Sequence, residues 1–393
     1  MRAKIKRIVF YGTWLAKFSL LTIFFLVASL PLRLSKKYKN LWIISERPDE
    51  ARDNGYCLYK WIIENKPSEN VRYVLARNST DYMKMPRKDL IIEPGSAKHY
   101  ICYILSKYSV STHMHGACPG KSFVIPFLPL MRKKQTIFLQ HGITENAVKF
   151  RKRLNAITVC SEQEKNLIKH SNPNYKNKIF ITGFCRYDSL QDTSSKENEK
   201  IILVMPTFRK WLRDIGRLRE ADNAFQNTTY FKAWNSFLNN PKLEELLSKN
   251  DMKLVFFPHR EMQELVQNLK PKNKRIIIGK PLEFDVQTLL KKTSLLITDY
   301  SSVFFDFVYM EKPVIFYQFD QGDFFSKHYP ATGKPYPLGD VIKTEEPLVK
   351  EIENTINQGL LLKPDFKNDS KKFFHYKDHK NCERVYNLIK ELK

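Results

Sequence analysis

Short β-rich runs separated by helical or polar stretches recur in two series along this chain, and that rhythm restricts the fold more than any other feature of the sequence. The first series is Leu41–Ser45, Val71–Ala76, Leu90–Glu93, Tyr108–His113, Thr136–Gln140 and Ala156–Cys160, with a helical pattern at Ser96–Lys107. The second is Ile201–Met205, Lys253–Phe257, Arg275–Ile278, Leu295–Thr298 and Val314–Tyr317. Helical patterns at Phe231–Leu247, Glu261–Leu269, Val286–Thr293 and Val303–Met310 separate its members. A strand joined to the next by a helical crossover pairs with it in parallel, because the crossover returns the chain to the same edge. The rhythm therefore predicts an α/β chain with two Rossmann-like halves.

The polar stretch Gln191–Glu199 has the composition of a linker and sets the expected boundary. Domains are expected at 40–195 and 196–393, after an N-terminal segment at 1–39. From Met1 to Asn40 there are nine basic residues and no acidic one, and between Ile8 and Leu32 only Lys17 interrupts an apolar run. The segment is expected to meet a membrane. Its uninterrupted part, Phe18–Leu32, is shorter than the ~20 residues of a full span. It would enter as a tilted helix with Lys17 snorkelling, or lie in the interface with its lysines on headgroups. A cleaved signal peptide is the less favoured reading, because Arg33, Lys36, Lys37 and Lys39 stand where small residues should follow. A retained membrane-associated helix at the cytoplasmic face is the expectation.

With 66 Lys and Arg against 41 Asp and Glu, the net charge of +25 calls for an anionic partner: nucleic acid, lipid headgroups or phosphorylated substrates. Nucleic acid is disfavoured, since part of the basic charge sits in the membrane segment and no RRM, KH or zinc pattern appears. Six scattered cysteines without a CxxC pair indicate neither a zinc site nor a disulfide framework. The GxxxxGK[ST] loop of P-loop enzymes is absent.

Four loops follow apolar strands and carry chemistry. Leu295–Thr298 runs through Asp299-Tyr300-Ser301-Ser302 into a helix, which places backbone N–H groups and a helix dipole at a strand's carboxyl end, suited to phosphate. Gln140-His141-Gly142 ends another strand, and a histidine with a pKa near ~6.5 can take a proton from a hydroxyl; it can equally cap a turn. Phe257-Pro258-His259-Arg260 offers hydrogen-bond donors to a pyrophosphate, or simply closes its strand. Ser45–Gly55 packs Glu46, Asp49, Glu50, Arg47, Arg52 and Asp53 at a strand-helix junction, the usual place for a binding loop. Thr112-His113-Met114-His115-Gly116 lacks a third ligand for a metal, so no metal is expected. Lys149–Arg153 reads as a phosphate-holding run or as a solvated basic loop. In Thr182–Asp188, Arg186 and Asp188 are expected to pair with each other, the alternative being contact with substrate.

In this order, Gln140–Gly142, Thr182–Asp188, Met205–Arg209, Pro258–His259 and Thr298–Asp306, followed by Lys312-Pro313 and a strand, resemble the CDP-glycerol glycerophosphotransferases. These bacterial enzymes build teichoic-acid-like poly(alditol phosphate) chains. The resemblance covers nearly the whole chain after Asn40. It implies two Rossmann-like domains in a GT-B arrangement, with the final helix Cys382–Lys393 packing back across the halves. It implies transfer of glycerol phosphate, or another alditol phosphate, from CDP-glycerol to a hydroxyl of a lipid-linked saccharide or polymer acceptor, releasing CMP. No cofactor is implied. His141 would be the general base and His259 a catalytic ligand of the diphosphate. Arg209, Arg260, Thr298, Asp299, Ser301, Ser302 and Asp306 would bind the donor. Glu46, Arg52, Asp53, His113, His115 and Lys149 would face the acceptor. The alternative on the same architecture is a glycosyltransferase using a nucleotide sugar in cell-surface polysaccharide synthesis.

Overall fold

A computed structural model of the chain describes residues 19–114, 116–119, 133–145, 149–150, 153–212, 221–280, 284–327 and 337–392. Two compact units emerge: Met1–His141 with Val148–Asp188 and Asp378–Lys393, and Gly142–Ala147 with Ser189–Lys377.

The first unit holds a seven-stranded, wholly parallel sheet. Its strands are β1 (Trp42–Ser45), β2 (Val71–Val74), β3 (Ile91–Ile92), β4 (Tyr108–Ser111), β5 (Gln135–Phe138), β6 (Ala156–Val159) and β7 (Ile179–Ile181), in the order β3-β2-β1-β4-β5-β6-β7. The second unit repeats the plan with β8 (Lys200–Val204), β9 (Met252–Phe256), β10 (Ile276–Ile278), β11 (Leu295–Thr298), β12 (Val314–Tyr317) and β13 (Asp340–Ile342), ordered β10-β9-β8-β11-β12-β13. Each sheet winds outward from its first strand in both directions. The strand order therefore reverses between β1 and β4, and again between β8 and β11. Open α/β sheets bind ligands at that reversal, beyond the carboxyl ends of the strands.

Central strands such as β1, β11 and β12 are buried at every position, which is why they read as unbroken apolar runs. The edge strands β7 and β13 were not expected from the sequence; β13 opens on an aspartate that disfavours strands. The expected helix Phe231–Leu247 is two helices, Thr229–Leu238 and Pro241–Lys249. The Asn240 side chain accepts the N–H groups of Lys242 and Leu243 ahead of a proline at the first helical position, so a new helix starts there. The stretch expected as a helix at Glu261–Leu269 contains two short 3₁₀ turns, Arg260–Met262 and Leu265–Asn268.

In the first unit, one face of the sheet is covered by the helices Asn54–Asn65 and Asn381–Glu391, whose Leu58, Tyr59, Cys382, Val385, Tyr386 and Ile389 join Trp42 and Tyr108 in one cluster. The terminal helix is seated by the Thr182–Asp188 segment. Asp188 accepts the N–H groups of Asn381 (2.7 Å) and Cys382 (2.8 Å). Gly183 lies at φ +72°, and a Cβ there would stand 2.1 Å from Asn381 Oδ1, so only glycine fits. Arg186 and Asp188 consequently do not pair with each other: Asp188 is a helix cap, and Arg186 turns to Asp53.

The other face carries the helix Ala97–Leu105 and a helix at 19–29. Thr22, Leu26 and Ser29 of the latter are buried, and Phe25 stacks on Tyr100 with centroids 4.9 Å apart. Among the described residues no helix is long and apolar enough to cross a membrane. The expected N-terminal membrane helix thus lacks a described span, and its described part lies against the first sheet.

Candidate active site

At the carboxyl ends of β1, β4 and β5, several side chains converge on the Gln140-His141 turn. Gln140 adopts φ +57°, left-handed for a residue with a Cβ. Side-chain bonds fix it: Asn54 donates to the Gln140 carbonyl at 3.0 Å, and Gln140 Nε2 donates to the Thr158 carbonyl at 2.8 Å and to Glu164 Oε1 at 3.1 Å. The next carbonyl, of His141, accepts from Arg186 Nη1 at 3.2 Å. Arg186 is itself held by Asp53 (3.0 Å) and by its backbone N–H to Asn54 Oδ1 (3.1 Å). The His141 backbone is therefore clamped from two directions while its ring stays exposed. That ring stacks on His113, with centroids 5.3 Å apart and planes 7° from parallel. His113 Nδ1 meets Thr112 Oγ1 at 3.0 Å, which restrains the ring supporting His141.

The acceptor-side expectations divide. His113 and Asp53 join the His141 environment. Glu46 does not reach outward: it is 5 % exposed and accepts the N–H groups of Arg52, Asp53 and Tyr56 at 2.7–3.0 Å, closing its loop onto the helix Asn54–Asn65. Burial and the neighbouring Asp53 charge push its carboxyl up to about 8, against the pull of those three N–H bonds. Arg52 is drawn off to Asp81 (2.7 Å) and Thr80, so it braces the loop. Lys149 is exposed, and His115 lies outside the described residues.

In the second unit, the loops after β8, β11 and β12 are locked by one guanidinium. Arg209, fully buried, reaches Asp320 through Nε (2.7 Å) and Nη2 (2.9 Å), Asp299 through Nη2 (2.9 Å) and the Thr207 carbonyl through Nη1 (2.7 Å). Tyr230, Tyr300, Phe319 and Phe324 surround it with ring centroids at 5.0–5.9 Å. Burial works against its charge, but the two carboxylates outweigh that and hold it protonated. Asp299 also accepts the N–H groups of Thr207 (2.8 Å) and Tyr300 (2.6 Å), and Thr298 Oγ1 donates to the Met205 carbonyl at 2.7 Å.

These contacts bear on four of the expected donor ligands. Arg209, Thr298 and Asp299 have no exposed surface and Asp306 is 3 % exposed, so in this structure they face the loops that surround them. Ser301 is half-buried and Ser302 exposed, ahead of a helix, Phe304–Tyr309, of six residues. His259 and Arg260 are exposed at the end of β9. His259 stacks on Phe208 at 4.9 Å, and its Nδ1 accepts the Glu261 N–H at 3.2 Å. In the neutral ring that leaves the proton on Nε2, a donor directed away from the backbone.

The sequence profile of the CDP-Glycerol:Poly(glycerophosphate) glycerophosphotransferase family matches residues 26–391. The chain belongs to this family. It is 31 % identical over 366 residues to the minor teichoic acid biosynthesis protein GgaB of Bacillus subtilis, covering 90 % of this chain and 40 % of GgaB. It is 24 % identical over 190 residues to the teichoic acid ribitol-phosphate polymerase TarL of Staphylococcus aureus, covering 48 % of this chain and 30 % of TarL. The chain thus spans well under half the length of these relatives. Among solved structures, the wall teichoic acid polymerase TagF shares the fold with a TM-score of 0.67 at 15 % identity, over 96 % of this chain and 97 % of that one. A TagF variant soaked with CDPG gives a TM-score of 0.65 at 14 % identity.

Within this family member, the sequence reading missed Asp320 altogether and the roles of Asn54 and Arg186. Asn54 and Arg186 position the His141 turn, and Asp320 completes the Arg209 network. Asp320 follows β12 at its carboxyl end, so the same positional rule that marked Asp299 would have found it. Among the described residues, no group of three or more His, Cys, Asp or Glu is placed to hold a metal.

Proposed function

We propose that this chain transfers an alditol phosphate, glycerol phosphate in the first instance, from a CDP-alditol to a hydroxyl of a lipid-linked acceptor in teichoic acid or capsular polymer synthesis. The observation that carries the reading is the exposed, backbone-clamped imidazole of His141 beside the strand reversal of the first sheet, in a chain of this family.

The acceptor oxygen attacks the β-phosphorus of the donor while His141 takes its proton; the new P–O bond forms as the bond to the CMP oxygen breaks, and CMP leaves with the electron pair. Positioning and electrostatics supply most of such catalysis. His259, with its Nε2 proton outward, and Arg260 stabilise the charge gathering on the departing phosphate. The Arg209 network holds the Met205–Arg209 and Asp299–Ser302 loops in place for the donor. The likeness to TagF over both units supports the fold that the reading assumes.

Attachment to a membrane surface belongs to the same proposal. The described part of the first helix, residues 19–29, lies against the first sheet. Its outer face exposes Leu20, Ile23, Phe24 and Val27, spacing that suits a helix lying in the interface.

Purified protein incubated with CDP-glycerol, CDP-ribitol and a panel of sugar nucleotides, each with a membrane lipid extract, tests the reading. Acceptor-dependent CMP release, lost in His141→Ala, is expected. Turnover only with a sugar nucleotide would replace the donor class by the glycosyltransferase alternative.

A further inference from the structure

A pocket of about 640 Å³ opens at the end of the first unit opposite the His141 turn. Asn40, just before β1, and Val71 and Arg72, at the start of β2, line it, so it sits at the amino-terminal edge of the sheet. The candidate site lies at the carboxyl edge. Six cationic side chains line the pocket, Lys36, Lys37, Lys39, Arg72, Arg87 and Lys390, and a single carboxylate, Glu69. That carboxylate is already engaged, accepting from Lys390 Nζ and the Tyr386 hydroxyl, both at 2.7 Å. Arg87 is likewise matched by Asp89, at 2.9 and 3.0 Å. Among the described residues Lys36, Lys37, Lys39 and Arg72 meet no carboxylate.

The cations are held together by built contacts. Asn70 Nδ2 donates to the carbonyls of Lys37 (2.7 Å) and Lys39 (3.3 Å), tying the lysine turn to the start of β2. Asn70 Oδ1 accepts from Arg72 Nη1 at 3.2 Å, so one side chain fixes both the lysine backbone and the guanidinium. Ser35 caps the turn by accepting the Lys37 N–H. Clustering like charges costs free energy unless an anion offsets it, and a planar guanidinium beside several ammonium groups matches the oxygens of a phosphate.

We propose that this pocket is a second anion site that binds a phosphate ester, independent of the candidate active site. A glycerol-phosphate lipid headgroup and a free phosphate ester share that chemistry, and the inference does not rest on the proposed reaction.

The test uses the full chain at low salt. Isothermal titration with glycerol 3-phosphate and with inorganic phosphate reads the soluble arm, and flotation with phosphatidylglycerol against phosphatidylcholine vesicles reads the lipid arm. Three proteins are compared: Lys36→Gln/Lys37→Gln/Lys39→Gln, whose changes lie on an exposed turn; Arg72→Gln; and a charge-matched control, Lys249→Gln/Lys270→Gln/Lys350→Gln. The expected result is a loss of about tenfold or more in affinity for both pocket variants, in one arm or both, with the control within about twofold of the parent. Loss in the soluble arm assigns a free ester. Loss confined to phosphatidylglycerol vesicles assigns a headgroup. Equal weakening in pocket and control variants would reduce the effect to net charge and overturn the proposal, as would no binding by the parent in either arm. Nucleotide release from CDP-glycerol with a soluble acceptor, unchanged in the pocket variants, separates this outcome from failure of the proposed reaction.

Discussion

Arg209→Met tests whether the strand-end arginine is a keystone of the fold or a ligand of the donor. Methionine approximates the side-chain length but removes the charge, leaving Asp299 and Asp320 buried without a cation and the Thr207 carbonyl without its donor. Removing one partner from a buried ion pair costs about 3–5 kcal/mol, because the other charge is stranded. In a domain of roughly this size each kcal/mol moves the midpoint by about 2–4 °C. The second unit should therefore melt roughly 6–20 °C lower, by differential scanning calorimetry. Two further variants sharpen the reading. Adding Asp299→Asn and Asp320→Asn to Arg209→Met should recover much of the loss, since no charge is then left unpaired. Arg209→Lys should recover less, because one ammonium cannot reach both carboxylates and the carbonyl at once. Should Arg209→Met melt within about 2 °C of the parent while the KM for CDP-glycerol rises, the guanidinium is a donor ligand and the buried-network argument fails.

His259→Ala should lower kcat about 10²–10³-fold without shifting the melting point, and His259→Asn, which keeps one acceptor for the Glu261 N–H and one outward donor, should regain part of it; a surface histidine of no consequence would change kcat by less than about twofold. Asn54→Ala should lower both stability, by about 1–3 kcal/mol, and kcat, since the Gln140 carbonyl and the Arg186 N–H lose their partner together. Asn54→Asp keeps the acceptor for Arg186 and loses the donor to Gln140, so thermal melts should recover more than turnover does. Glu46 gives a pH signature. Its folded pKa of about 8 stands above the ~4.3 of an unfolded glutamate, so between those values the folded chain binds the extra proton. Stability of the first unit should be greatest near the lower value, fall as pH rises toward 8 and level off above it. Urea titrations from pH 5 to 9 should show that slope in the parent and not in Glu46→Gln, and a rise over the same interval would refute the assignment.

The fold was legible where burial was complete. A parallel strand covered on both faces has no polar side to show, so β1, β11 and β12 announce themselves as apolar runs. Edge strands β7 and β13 went unread although β3 and β10, at the opposite edges and no longer, were expected; β13 opens on an aspartate, which disfavours strands. The Phe231–Leu247 segment misled because its apolar periodicity runs on past Asn240-Pro241, while the capping chemistry of those two residues ends one helix and begins the next. Periodicity reports which face is buried; only the cap says where the helix stops.

The loops of the candidate site were located from sequence, but the direction in which their side chains face was not. An arginine and an aspartate at strand ends are what a phosphate site needs, and equally what a buried ion network needs. The residue that decides between the two is remote: Asp320 lies 111 positions from Arg209, and Asn54 lies 86 from Gln140 and 132 from Arg186. In the proposed reaction, with Arg209, Thr298 and Asp299 facing the loops they hold, a donor diphosphate would be met by exposed groups: His259, Arg260 and the polar atoms of the Ser301-Ser302 turn. Exposed charges are screened by salt far more than buried ones. Donor affinity should therefore weaken steeply with ionic strength while the melting point of the Arg209 network barely moves, and if the two instead fall together, binding and architecture share the same charges.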